Sequence, residues 1–168
     1  MIKFLVFISL FVATPLLQAH QIPNFSQVQK DMYRGGRPSA QDLKDLKAMG
    51  IKTILNVEND DQAVAEETKM AAALGFKFVS VPTASWKKPK DDKVDLVLQT
   101  LHEPKNYPIF IHCKHGQDRT GMMIGLYRVE AEGWRAEDAY QEMLDLGFHR
   151  ILFVLDDYYR DRSGLDKD

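Results

Sequence analysis

Short apolar segments alternate with helical patterns through the middle of this chain. Residues 51–57 (IKTILNV), 76–81 (FKFVSV) and 107–113 (YPIFIHC) are rich in β-branched and aromatic side chains, as strands are. Helix-forming segments lie between and after them, for example residues 91–103, where apolar side chains recur at helical spacing. Strands that alternate with helices along a chain pair mainly in parallel. We therefore predict an α/β fold with a central, mostly parallel sheet flanked by helices.

The first 19 residues have the pattern of a secretory signal peptide. Lys3 precedes an apolar run that is broken by Pro15, and Ala19 offers a small residue for cleavage. The run is short for a bilayer-spanning helix, although an uncleaved membrane anchor is the alternative interpretation. We expect a periplasmic or secreted protein with a single domain over residues 20–168, which contain no repeat, low-complexity tract or linker.

Local signals predict the ends of several elements. A strand is expected near Met32, and Ser39 is a candidate N-cap with Asp42 three positions later. Residues 135–147 and 149–162 read as two helices separated by Gly147, and the tail from residue 163 as a frayed end.

The chain has one cysteine, Cys113, with His112 and His115 close by. A single thiol has no disulfide partner, so in an oxidising compartment it needs another reason to be present. The alternatives are an inert buried thiol and a zinc site. His112 and Cys113 are adjacent in a predicted strand and point to opposite faces, which makes them poor co-ligands. We therefore predict a catalytic nucleophile, with no metal and no cofactor.

The segment after Cys113 has the features of an anion site. The predicted strand ends at Cys113, the next helix is expected to start near Arg119 or Thr120, and Gly116 lies in the short loop between them. Backbone amides of such a loop and the positive end of a helix attract anions, and an arginine fork binds two phosphate oxygens. The predicted phosphate-binding residues are Lys114, His115, Gly116, Gln117, Asp118 and Arg119.

The same environment would activate the sulfur. Cationic groups and a helix N-terminus stabilise a thiolate, which is the nucleophilic form of cysteine. Attack by Cys113 on phosphorus would give a phosphocysteine intermediate, and Arg119 would stabilise the oxygens of the transition state. Thr120 could donate a hydrogen bond to the sulfur when it leaves in the second step.

Residues 112–121, HCKHGQDRTG, resemble the Cys-x5-Arg motif of the protein tyrosine phosphatase superfamily. They keep the preceding histidine, the central glycine and the following Thr-Gly as well. Residues 32–57 are similar to the opening of small atypical dual-specificity phosphatases, and residues 133–149 to a C-terminal helix of bacterial members. The resemblance implies a minimal dual-specificity phosphatase fold and phosphatase activity, with His112 as a supporting residue that orders the loop.

The family's usual general acid is absent from its expected place. Members normally carry an aspartate about thirty residues before the cysteine, whereas residues 81–86 (VPTASW) contain no carboxylate. Some bacterial relatives share the DRTG ending and use the loop aspartate, which favours Asp118; its alternative role is a brace or an electrostatic modulator of the loop. Asp91 matches an aspartate of the plant and fungal branch, and its alternative role is the N-cap of a helix beginning near Lys93.

Basic residues suggest which phosphate ester is bound. Lys87, Lys88 and Lys90 lie in a loop expected to form the rim of the pocket, in a chain whose formal net charge is −2. A lysine cluster beside a phosphate loop favours a multiply phosphorylated small molecule such as an inositol polyphosphate, as in phytase-like relatives. The alternatives are a solvated lysine loop and a phosphopeptide substrate. Arg34 and Arg37 could add to the rim, although a turn with solvated arginines is favoured.

Other functions fit the sequence less well. The near-neutral charge disfavours a nucleic-acid binder, and no membrane partner is expected after signal cleavage. A catalytically silent phosphate-binding module would normally have lost the cysteine or the arginine. A rhodanese-like sulfurtransferase also has a cysteine loop after a strand, but its loop lacks the HC-x5-RTG combination.

Overall fold

The computed structural model describes residues 22–165. The predicted signal peptide, residues 1–19, lies outside the described residues. No helix between residues 22 and 165 is both long enough and apolar enough to cross a bilayer.

A five-stranded sheet forms the centre of the molecule and confirms the predicted mostly parallel α/β architecture. The strands are β1 Ser26–Gln29, β2 Met32–Gly35, β3 Thr53–Asn56, β4 Lys77–Ser80 and β5 Ile109–His112. Their spatial order is β1-β2-β5-β3-β4. Only the β1–β2 pair is antiparallel; β5 pairs in parallel with β2 and β3, and β3 pairs in parallel with β4.

Six α-helices lie within residues 22–165 and cover the two faces of the sheet. They are α1 Ala40–Ala48, α2 Asp61–Ala73, α3 Asp91–His102, α4 Asp118–Glu130, α5 Ala136–Asp145 and α6 Phe153–Ser163, and a 3-10 turn spans Pro104–Asn106. Ser39 caps α1 as predicted, because its hydroxyl accepts from the Asp42 N–H while the Asp42 carboxylate accepts from the Ser39 N–H.

Alternating side chains along the central strands fill two cores. On β5, Ile109 and Ile111 pack with α3 to α6 on one face, whereas Phe110 packs with α1 and α2 on the other. On β3, Leu55 and Ile54 divide in the same way. Parallel strands covered on both faces are therefore apolar throughout, which explains the continuous hydrophobic runs in the sequence.

Two element boundaries differ from the sequence-based predictions. The segment before Met32, where no separate strand is predicted, forms β1 and turns back through Asp31, whose φ is 62°. The last helix was expected to begin at His149, whereas α6 begins at Phe153. Residues 146–152 instead form a connection between α5 and α6 that reaches the functional site.

Candidate active site

The loop after β5 forms the floor of the candidate site. Cys113 follows the last residue of β5, between the ends of β2 and β3. α4 starts at Asp118, slightly earlier than predicted, so residues 113–117 make the whole strand-to-helix turn. Arg119 lies in the first turn of α4, and both it and Cys113 are buried.

Every carbonyl of this turn has a hydrogen-bond donor from the surrounding structure. The imidazole Nδ1 of His112 lies 3.4 Å from the Cys113 carbonyl oxygen. Arg37 N–H binds the oxygen of Lys114, and the Asn24 side chain binds that of His115. Arg34 Nη2 donates to the oxygens of Gly116 and Gln117, at 2.7 and 3.4 Å.

The carbonyl contacts determine where the amides of the turn point. In a planar trans peptide the C=O and the following N–H point in opposite directions. Carbonyls held from outside therefore direct the N–H groups of residues 114–118 into one concavity, which is an anion-binding arrangement. The Gly116 N–H confirms this direction, since it donates to the Cys113 sulfur at 3.3 Å.

Glycine is the residue type that fits position 116, in the middle of the turn. Its φ is +78°, and an added Cβ would lie 2.3 Å from the carbonyl carbon of Gly35. No side chain can be placed at that distance from backbone atoms, and L-residues also avoid this left-handed conformation. The glycine allows the turn to lie directly against the end of β2.

Thr120 is buried in the first turn of α4. Its hydroxyl has no hydrogen-bond partner among residues 22–165, so the predicted bond to the sulfur is not formed in this state. A buried hydroxyl without a partner is unusual and is able to donate when a negative charge develops nearby.

Arg119 is oriented by residues of two other loops. Its Nη1 donates to the Asn59 side chain at 2.7 Å and to the Thr83 carbonyl at 3.4 Å. Asn59 follows β3 and Thr83 follows β4, so the carboxyl ends of neighbouring strands both reach this guanidinium. Asn59 was not predicted from the sequence, because nothing in its local pattern connects it with Arg119.

Arg34 and Arg37 are not the solvated arginines that the sequence interpretation favoured. Arg34 is 2% exposed, and burial lowers the pKa of its guanidinium. Arg37 is half-buried and pairs with Glu58 and Asp60, and the hydrogen bond to Glu58 raises the pKa of Arg37. Neither arginine lines the cavity above Cys113, so they support the loop rather than form its rim.

His112 lies on the opposite side of β5 from Cys113, as the strand alternation predicted. Its ring stacks on Phe110 with centroids 5.4 Å apart. Its Nε2 lies 2.8 Å from a carboxylate oxygen of Glu67. The Asn56 side chain donates to the other oxygen of Glu67. The buried side chains of Phe110, Glu67 and Asn56 hold the His112 ring in place. The Nδ1 of this ring faces the carbonyl of Cys113, the first carbonyl of the turn.

An open cavity of about 350 Å³ lies above the sulfur. Of the predicted site residues, Cys113, His115, Asp118 and Arg119 line it together. Lys114 and Gln117 do not line this cavity, so in this arrangement they can contribute their backbone amides. The remaining wall consists of Ser85, Trp86, His149, Ile151 and Leu152, none of which the sequence predicted for the site. Trp86 and Ile151 are both largely exposed, so the mouth is partly apolar.

Asp118, the favoured acid, lies at the edge of this cavity. Its Oδ1 accepts hydrogen bonds from the His149 backbone N–H at 2.8 Å and from the His149 ring Nδ1 at 2.9 Å. His149 belongs to the α5–α6 connection, which the sequence had assigned to a helix. Asp118 therefore lines the same cavity as Cys113 and is also joined to the α5–α6 connection.

Asp91, the alternative acid, does not line the cavity above Cys113. It is the first residue of α3 rather than its N-cap, which is Lys90, so the N-cap interpretation is wrong as well. The Asp91 carboxylate accepts a hydrogen bond from the Tyr158 hydroxyl at 2.8 Å. Burial, supported by Asp91 and opposed by Arg162, raises the pKa of Tyr158 to about 12.

The predicted rim lysines line a neighbouring cavity instead of the one above Cys113. Lys87, Lys88 and Lys90 surround a space of about 160 Å³ together with residues 82–84 and Pro89. This lysine cavity touches the active-site arginine indirectly, because the carbonyl of Thr83 in its wall accepts from Arg119.

Comparisons with known proteins agree with this arrangement. Residues 21–151 match the sequence model of the tyrosine phosphatase family. The chain belongs to the tyrosine phosphatase family. The resemblance inferred from residues 112–121 is thereby confirmed, and the matched region includes the cysteine, the arginine and the loop between them.

Similar proteins from this family include enzymes named for different substrates. The chain is 28% identical to the dual specificity protein phosphatase TpbA of Pseudomonas aeruginosa (strain UCBPP-PA14), over 74% of this chain and 55% of that protein. It is 30% identical to inositol diphosphatase DSP3 of Arabidopsis thaliana, over 71% of this chain and 60% of that protein. The chain thus matches little more than half the length of these relatives.

Solved structures confirm the minimal phosphatase fold. The crystal structure of P. aeruginosa TpbA superposes with a TM-score of 0.70 and 26% identity, covering 86% of each chain. The catalytic core of the phosphatase SIW14 from S. cerevisiae superposes with a TM-score of 0.69 at 23% identity, covering 83% of this chain and 88% of that one. At that identity the second likeness supports the fold alone.

Proposed function

We propose that the chain is a cysteine-dependent phosphomonoesterase that acts through a phosphocysteine intermediate. The observation that carries the proposal is the turn at residues 113–117, whose outward-held carbonyls direct its amides toward the Cys113 sulfur. An anion held by these amides and by Arg119 would place its phosphorus next to a nucleophile, and such a cradle stabilises the equatorial oxygens of phosphoryl transfer.

The proposed reaction has two steps. In the first, the Cys113 thiolate forms an S–P bond while the P–O bond to the substrate breaks, and Asp118 gives its proton to the departing oxygen. In the second, Asp118 takes a proton from water as the water oxygen forms a bond to phosphorus and the S–P bond breaks. Inorganic phosphate is then released, and the Cys113 thiolate and the protonated Asp118 are restored.

A multiply phosphorylated small molecule is the favoured substrate class. The lysine cavity formed by Lys87, Lys88 and Lys90 adjoins Arg119 through Thr83, so a second phosphate of the same molecule could bind there. Relatives named inositol diphosphatases, among them DSP3 and DSP5 of Arabidopsis thaliana, support this choice. Inositol polyphosphates meet the requirement of several phosphates on one compact ring.

A phosphotyrosine substrate is the second candidate. Trp86 and Ile151 form exposed apolar walls at the mouth of the cavity, and an aromatic ring would pack against them. The structure of P. aeruginosa TpbA with phosphotyrosine, whose fold superposes with a TM-score of 0.68 at 26% identity, supports this alternative. The two substrate classes would use different surfaces, the lysine cavity and the apolar mouth of the cavity above Cys113, which makes them separable by mutation.

The export of this enzyme remains a proposal from the pattern of residues 1–19. It predicts a mature chain that begins near residue 20. N-terminal sequencing of protein recovered from outside the cytoplasm checks this, and an intact residue 1 on that protein would contradict cleavage and favour the membrane anchor.

A substrate panel tests the proposed function. Released phosphate is measured with inositol polyphosphates, phosphotyrosine and phosphoserine peptides and simple aryl phosphates, for the unmodified chain and for Cys113→Ser. The proposal expects turnover of at least one ester, complete loss in Cys113→Ser, and retained phosphate binding by that variant. Turnover by Cys113→Ser would contradict the covalent mechanism. Phosphate binding by the unmodified chain without turnover of any ester would instead favour the silent binding module.

A further inference from the structure

His149 and Asp118 form a hydrogen-bonded pair, and the proposed mechanism assigns a role to Asp118 alone. They are 31 residues apart in sequence, and the two hydrogen bonds between them both end on Oδ1 of Asp118. One donor is the backbone N–H of His149 and the other is its ring Nδ1. The Asp118 side chain is only 15% exposed, whereas that of His149 is 56% exposed.

We propose that His149 is a positioning residue that prepares Asp118 for proton transfer, an inference that rests on the proposed function. Two donors on Oδ1 fix the rotation of the carboxyl group and leave Oδ2 as the oxygen that carries the transferable proton. Because Asp118 and His149 line the same cavity as Cys113, this fixed carboxyl shares the cavity in which an ester bound to the sulfur would lose its leaving oxygen.

The pair also stabilises the negative charge that develops on Asp118. When Oδ2 gives its proton to the leaving oxygen, the carboxyl becomes a carboxylate, and both donors on Oδ1 then stabilise the new negative charge. The arrangement requires a proton on Nδ1 of His149, which the neutral ring can supply. In the hydrolytic step the carboxylate regains its proton from the attacking water, so His149 itself neither gains nor loses a proton.

The same contacts give the α5–α6 connection a role in orienting Asp118. The usual aspartate is missing from residues 81–86, and the proton donor lies inside the phosphate loop. The proposed donor, Asp118, is the first residue of α4, where this short turn ends. The α5–α6 connection sets the orientation of its carboxyl through His149. The adjacent Ile151 and Leu152 complete the wall of the cavity.

Leaving-group dependence separates positioning from simple bracing. We would measure kcat/KM for a series of phosphate esters, from acidic phenols to alcohols, in His149→Ala, His149→Asn and the control His102→Ala. His102 is an exposed histidine in the last turn of α3 and does not line the cavity. The Asn side-chain amide can replace the Nδ1 donor, so His149→Asn is the conservative variant.

The expected result is a selective loss. His149→Ala should lower kcat/KM about 10-fold or more for alcohol esters and little for esters of acidic phenols, because only poor leaving groups need the proton. His149→Asn should recover most of this loss, and His102→Ala should match the unmodified chain. In an Asp118→Asn background, His149→Ala should cause no further leaving-group-dependent loss.

Two outcomes would overturn the inference. Equal losses for all esters in His149→Ala would assign His149 to bracing of the connection. A selective loss that persists in the Asp118→Asn background would show that His149 acts independently of Asp118. Neither outcome touches the proposed function, which fails separately if Cys113→Ser retains turnover.

Discussion

The Nη2 of Arg34 donates a 2.7 Å hydrogen bond to the carbonyl oxygen of Gly116, joining β2 to the middle of the phosphate loop. The same nitrogen reaches the carbonyl of Gln117 at 3.4 Å. Because a carbonyl held outward turns the next amide inward, this buried arginine helps to set the direction of the anion-binding N–H groups. It acts on the site without lining the cavity.

Replacing Arg34 should therefore reduce both stability and phosphate binding. In Arg34→Leu the Gly116 carbonyl loses its donor and the Gln117 carbonyl keeps only the N–H of Gly121, so the free energy of unfolding should fall by about 2 kcal/mol. Denaturant unfolding and phosphate titration measure the two effects. Arg135→Leu is the matched control, since Arg135 is exposed and, among residues 22–165, forms an ion pair with Glu137 at the surface. Unchanged phosphate affinity in Arg34→Leu would refute the proposed support of the loop.

A pair of glycine variants separates crowding at the loop from backbone strain. Gly116 and Gly133 both have positive φ values, +78° and +72°, but an added Cβ meets backbone atoms only at Gly116. Each alanine variant should lose about 1 kcal/mol of stability from the left-handed conformation. Gly116→Ala should in addition lose phosphate binding, because the turn must move away from Gly35. Similar phosphate affinities in the two variants, measured by calorimetry, would contradict this.

The structure predicts different outcomes for the two candidate acids. Asp91→Ala removes the acceptor of the Tyr158 hydroxyl and should cost about 1 kcal/mol of stability, with little change in turnover. Asp118→Asn should slow alcohol esters far more than esters of acidic phenols. Rates on both kinds of ester decide between them. A selective loss on alcohol esters in Asp91→Ala would return the role of acid to Asp91.

The lysine cavity should matter only for substrates with several phosphates. Changing Lys87, Lys88 and Lys90 together to Ser should lower kcat/KM for an inositol polyphosphate about 10-fold, while phenyl phosphate is nearly unaffected. The control changes Lys44, Lys52 and Lys69, which are exposed elsewhere on the surface, and removes the same charge. Added salt should reduce the difference. Equal effects of the two triple variants would support the alternative, a solvated lysine loop with no role in substrate binding.

Local sequence patterns were sufficient for most of the fold and for the centre of the site. The apolar runs of β3 and β5 and the turn from Cys113 to Arg119 are determined by neighbouring residues, so they could be read directly. β1 was missed because Ser26–Gln29 is a polar edge strand without a hydrophobic run. Its pairing with β2 becomes evident only in three dimensions.

The missed parts of the site depend on contacts between distant segments. Residues 149–152 have helix-like apolar spacing, yet the helix begins only at Phe153 and the preceding residues reach the cavity. Asn59 meets Arg119 across 60 residues of sequence. The rim lysines show a different error, because their loop was expected to form the rim of the cavity above Cys113 and instead lines a neighbouring cavity.

Trapping the covalent intermediate tests the central claim most directly. The chain is mixed with an aryl phosphate, quenched in acid within the first turnover, digested and examined by mass spectrometry. The proposed mechanism predicts one added phosphoryl group on the peptide that contains Cys113, formed and lost at rates that account for turnover. With an ester of an acidic phenol, Asp118→Asn should accumulate more of this adduct, because the phenol leaves without a proton while hydrolysis lacks its base. Full turnover with no phosphoryl group on Cys113 would contradict the account.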